Sequence, residues 1–114
     1  MSDIGDTLLD EAFLEALAVD IGADGVAEAA RIFLDDAPAR VLRWRQGETA
    51  LRREAHALAG SARAVGLSRL GEAASTVQRA VEAGAAGPDA TRRLETLLAE
   101  STTALEVWLA AQRL

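Results

Sequence analysis

The sequence predicts an all-α fold, an antiparallel up-down four-helix bundle with a short additional N-terminal helix. Three observations predict it. Apolar residues recur at three- and four-residue steps along most of the chain, the period of one helix face. No stretch alternates β-branched with polar residues, and aromatics make up only 4% of the chain, so no strand signal competes. Glycine and proline clusters then cut the periodic stretches into pieces joined by short turns, as an up-down bundle requires.

The first, short helix is capped by Asp10, and Phe13, Leu14, Leu17 and Ile21 form its apolar side. A break is expected at Gly22 to Gly25, with Asp24 as the next N-cap. The second helix carries Val26, Ala30, Phe33, Ala37, Val41 and Trp44 as one stripe. Pro38 lies inside it and removes a backbone hydrogen bond, which predicts a kink or break near Asp36–Pro38. The third helix begins around Thr49 and stops near Gly66, a glycine suited to positive φ. Ser68 is the expected cap of the fourth, whose stripe is Leu70, Ala73, Ala74, Val77 and Val81. Gly84 to Pro88 is a turn, and Pro88 or Asp89 opens the last helix, lined by Leu94, Leu97, Leu98, Leu105 and Trp108. The 114 residues fit a single domain with one core, in which residues 1–7 and the last few are expected to fray. The two tryptophans and two phenylalanines fall on or beside the stripes and are read as core.

Composition narrows the function. Half the residues are apolar, which argues against disorder despite a formal charge of −6. Without cysteine there is no disulfide framework, thiolate metal site or cysteine nucleophile. The acidic N-terminus MSDIGDTLLDEAF does not read as a secretory signal, and no apolar run approaches the roughly 18 residues of a membrane span. A cytoplasmic protein with no membrane partner is expected. Residues 1–39 carry ten acids and one arginine, net −9; residues 40–79 carry eight arginines and three acids, net +5; residues 80–114 return to −2. A basic centre in an acidic chain disfavours nucleic acid, which selects a broad positive face, and better suits a local anionic group.

The only histidine, His56, lies in that basic centre, within EAHALAGSARAVG. At about 100° per residue, Leu51, Ala55, Leu58, Ala62 and Val65 cluster within roughly 80° of arc, and His56 falls about 140° from their centre. It therefore faces solvent. Gly60, one turn on, lies about opposite the core, with Ala59 and Arg63 flanking and with Arg52 and Arg53 one turn before the ring. A glycine inside a helix costs roughly 1 kcal/mol relative to alanine. Its position away from the core favours a steric purpose, the close approach of another surface to the ring, over the packing of a neighbouring helix. The ring edge is expected to be open and unclaimed by any internal bond. One histidine without cysteine, and with Glu54 on another face, does not support a metal site, and Ser61 lies on the wrong side for a hydrolytic triad. There remains the ring nitrogen as a nucleophile, which needs no activating base, with arginines to bind an incoming phosphoryl group.

The run His56-Ala-Leu58-Ala-Gly60-Ser61, followed by Gly66, Leu67, Leu70 and Glu72-Ala-Ala, resembles the motif of histidine-containing phosphotransfer (HPt) domains. The Leu9–Leu17 and Phe33…Pro38…Leu42 segments resemble that family's early helices, so the resemblance covers most of the chain. It implies a phosphorelay intermediate: His56 accepts a phosphoryl group from an aspartyl-phosphate on a receiver domain and passes it to another receiver. Gly60 matches the glycine that makes room for the receiver, and Ser61, Gly66, Leu67 and Leu70 match positions that shape a helical hairpin. Where that family usually has a lysine this chain has Ala59, which leaves Arg52, Arg53 or Arg63 to supply the charge. The partners implied are receiver domains of hybrid histidine kinases and response regulators. No cofactor is implied for this chain, and a divalent metal is expected on the partner. With no nucleotide-binding motif, a monomeric phosphocarrier without autokinase activity is expected. Two other readings stay open: a helical module that binds a receiver or kinase without accepting phosphate, and a structural or dimerising bundle with an incidental histidine.

Overall fold

The computed structural model describes residues 7–112. The expected fraying of residues 1–6 and of residues 113 and 114 lies outside the described residues. The described residues form four helices and no strand: α1 (Glu11–Trp44), α2 (Glu48–Ala64), α3 (Ser68–Glu82) and α4 (Pro88–Ala111). Each helix packs on its neighbours in sequence, α1 also packs on α4, and the α2–α3 seam is the most intimate.

Asp10 caps α1 as expected, its carboxylate accepting the Phe13 N–H at 3.0 Å. The break expected over Gly22–Gly25 falls at Gly22, which alone leaves helical geometry (φ 82°, ψ 159°) and kinks α1 between two helical stretches; Asp24 stands inside the second stretch, two residues past the kink. Glycine adopts that backbone without strain. The Ile21 side chain spans the kink within 3.1–3.2 Å of where a Gly25 Cβ would stand.

The helix does not break at Pro38; Gly22 is its only non-helical residue. The ring faces solvent, where water can satisfy the carbonyl it orphans, while Phe33, Ala37 and Trp44 remain buried on both sides of it. Burial of that stripe holds the helix through the proline, each large apolar side chain contributing roughly 1.5–3 kcal/mol.

In α2, Leu51, Ala55, Leu58, Ala62 and Val65 are all buried, as their spacing predicts. The helix ends at Gly66 (φ 79°), with the Leu67 N–H bonded to the Ala62 carbonyl at 2.8 Å and the Gly66 N–H to that of Arg63 at 3.2 Å, a Schellman closure. Asp10 N–H donates to the Gly66 carbonyl at 2.8 Å and ties the start of α1 to this turn. Ser68 is the first residue of α3 and not its cap; Leu67 takes the cap position and makes no side-chain bond. In α3 the buried stripe residues are Leu70, Ala74 and Val77, with Ala73 and Val81 half-buried. Pro88 opens α4, where its missing N–H would be unpaired in any case.

One sequence expectation is softened. Phe13 and Ile21 stand at the rim and are exposed, so the short first stripe rests on Leu14 and Leu17. Trp44 is buried, and its indole N–H donates to Glu95 at 3.1 Å. Arg45 grips the same carboxylate at 3.0 and 2.6 Å. That grip holds the Glu95 carboxyl below the usual carboxylate range, with partial burial opposing and the Trp44 bond assisting. Ser101 sits in the core of α4 with no partner for its hydroxyl among the described residues.

Candidate functional site

The wheel places His56 on the outer side of α2, and there the structure has it, exposed. The ring is not unclaimed, however. Its Nδ1 lies 3.2 Å from Oε1 of Gln78 on α3, while no described residue bonds the other nitrogen of the exposed ring. The Gln78 amide is itself fixed, because its Nε2 donates to the Glu82 carboxylate at 3.2 Å. An ionised carboxylate only accepts, so it selects the NH2 end of Gln78 and turns the carbonyl toward His56. The ring must then donate from Nδ1–H, which leaves the lone pair on Nε2 at the open edge.

Gly60 behaves as its wheel position predicts: it is exposed, and a Cβ built there meets nothing within 4 Å. No neighbouring helix needs this glycine. The close helix approach occurs instead at Gly71 on α3, which sequence reasoning did not single out. A Cβ there would stand 2.7 Å from Arg63 Cγ and 3.1 Å from the Ala59 carbonyl oxygen.

Ala59 is buried in this seam, 5% exposed. Its side chain therefore lies away from the surface around His56, and its grouping with the phosphate-facing residues is corrected: on the 80° flank of the wheel, α3 covers it. Arg63 is exposed, but its stem crosses Gly71 and its guanidinium donates to Ser75 Oγ at 3.2 Å. Because helical side chains lean toward the N-terminus, this lays the cation back along the seam in the direction of His56. Arg52 and Arg53 are exposed, and no hydrogen bond or ion pair holds either among the described residues.

On the other flank of α2 a charged cluster joins it to α1. Arg40, largely buried, reaches Glu54 at 3.3 Å, Ser61 Oγ at 3.1 Å and Asp36 at 3.3 Å. Arg43 completes it through Glu54 at 3.0 Å and Asp36 at 3.2 Å, and the Glu54 hydrogen bond, with Asp36 adding to it, raises the Arg43 pKa. Glu54 and Ser61 thus lie on another side of α2 from His56, as the wheel implied, and there they hold α1 through Arg40 and Arg43. Gln78, Glu82, Ser75 and Arg40 all escaped the sequence reading. A signal for Gln78 did exist: positions 56 and 78 lie equally far on either side of Leu67, the centre of the α2–α3 turn.

The site thus consists of an exposed imidazole with one nitrogen held by Gln78, beside a bare glycine and on a helix that also carries exposed arginines. The Hpt domain family model matches residues 28–108, and the chain belongs to that family. Members of the family are phosphocarriers of two-component phosphorelays, and they interact with receiver domains. No curated protein and no solved structure matches the chain. Among the described residues no helix is long and apolar enough to cross a membrane.

Proposed function

We propose that this protein is a phosphorelay intermediate in which His56 accepts a phosphoryl group from the aspartyl-phosphate of one receiver domain and passes it to the aspartate of another. The single observation that carries the reading is the ring's asymmetry: on an exposed imidazole Nδ1 is engaged by Gln78, and no described residue bonds Nε2. The Nε2 lone pair forms the N–P bond as the acyl-phosphate P–O bond breaks, and the bonding electrons leave with the partner's carboxylate. The Nδ1 proton stays with the ring throughout, so no external base is needed. The return step reverses these bonds.

Gly60 leaves room for the receiver to bring its aspartate in line with Nε2. Arg63, steered by Ser75, is the cation best directed toward the moving phosphoryl group in place of the side chain that Ala59 lacks. Arg52 and Arg53 add attraction for an acidic receiver surface. The divalent metal belongs to the receiver, and this chain works as a cytoplasmic, monomeric carrier without autokinase activity. Its architecture is read as a single domain, an antiparallel up-down bundle in which the segment before Gly22 serves as the additional short helix.

Incubation with a phosphorylated receiver should place acid-labile, base-stable label on the wild type and none on His56→Gln. Label that persists in the variant would reject the assignment. A receiver bound tightly with no label on the wild type would instead favour the non-phosphorylated binding module, for which the absence of a cation at Ala59 is the supporting observation.

A further inference from the structure

We infer that Glu82 is a positioning residue for transfer at His56, acting through Gln78 to keep the imidazole in its Nδ1–H form. The inference rests on the reading of His56 as phosphoacceptor and adds a residue that touches neither the ring nor the incoming phosphoryl group. The physical problem is the ambiguity of an amide. Gln78 unrestrained can present either end to Nδ1. Its NH2 end would make Nδ1 an acceptor and drive the proton to Nε2, where the N–P bond must form. A nitrogen that carries that proton has no lone pair to attack with.

Glu82 removes the ambiguity. It stands four residues after Gln78 on α3, so both side chains share a face, and a side chain in the last turn leans back toward the preceding one. Its Oε2 accepts from Gln78 Nε2 at 3.2 Å while Gln78 Oε1 lies 3.2 Å from His56 Nδ1. The three groups thus form one chain of hydrogen bonds with a single direction, set at its far end by an acceptor that cannot donate. Polarisation along such a chain also makes Oε1 a better acceptor.

The decisive experiment is nitrogen-15 NMR of His56 in the full chain, at a pH where the ring is neutral, for wild type, Glu82→Ala and Glu82→Gln. Phosphotransfer from a phosphorylated receiver is measured on the same samples. In the wild type Nδ1 should give a pyrrole-like shift and Nε2 a pyridine-like one. In Glu82→Ala the two shifts should move toward each other, and transfer should slow by about fivefold, the size of one orienting hydrogen bond. Glu82→Gln, which can still accept but can also donate, should fall between them. Nitrogen shifts that stay at wild-type values in Glu82→Ala overturn the inference, as does an unchanged transfer rate despite converged shifts. A wild type that takes no label refutes the carrier reading itself, and it is distinguished because it leaves the nitrogen shifts untouched.

Discussion

Gly60 and Gly71 sit on the two helices of one hairpin and do opposite work. Around Gly60 there is open space; around Gly71 the stem of Arg63 and the backbone of Ala59 crowd the missing Cβ. Nothing among the described residues fills the space beside the first glycine, whereas the second serves a surface already there. Both carry the cost of glycine in a helix, roughly 1 kcal/mol each. At Gly71 that cost is offset within the molecule by close packing. At Gly60 no packing within the described residues offsets it.

Substitution separates the two. Gly71→Leu should be the most damaging change, lowering stability by about 3 kcal/mol in urea denaturation, because the seam is overpacked against backbone as well as side chain. Loss of the Arg63–Ser75 contact should accompany it, visible as slower phosphotransfer even where the protein is folded. A tolerant Gly71 would mean that α2 and α3 can separate without cost, and the contrast with Gly60 would fail.

A control from the core sharpens the point that unpaired features are costly unless they are used. Ser101→Ala should raise stability by about 1–2 kcal/mol, since it removes a buried hydroxyl without a partner, and should leave transfer unchanged. Gly60→Ala should also stabilise, by up to about 1 kcal/mol, but transfer from the receiver should slow. A rise in stability with an unaltered transfer rate would show that the open space is not used. The two stabilising changes thus differ only in whether function is lost.

The smallest effect is expected at Glu95, far from the seam. Arg45 and Trp44 depress its carboxyl pKa in the folded chain below the ordinary value of 4.5. The stabilisation it provides is therefore complete above that ordinary value and is lost as pH falls through the depressed one. Glu95→Gln should cost less than about 1 kcal/mol near neutrality, because the carboxylate is partly exposed. Thermal melts of variant and wild type should converge in acid. A difference that persists at low pH would assign the effect to the Trp44 hydrogen bond and not to the ion pair.

Local pattern was enough to read an all-helical chain, most of its buried positions, the Asp10 cap, the Gly66 stop and the outward direction of His56, because each depends on residues within a turn or two of one another. The same local reasoning assigned Gly60 to open space. It went astray where burial across the bundle overrode a local preference, as at Pro38, whose helix is held by buried residues on both sides of the ring. It also missed whatever pairs helix with helix: Ala59 lies on the flank of its own wheel yet is covered by α3, and Arg63 lies back over Gly71 to reach Ser75. The chemistry of the imidazole was decided last and at the longest range. Which nitrogen keeps its lone pair depends on Gln78 and Glu82, more than twenty residues away in the chain, and a contact set by two helices folding together leaves no periodic trace in either one.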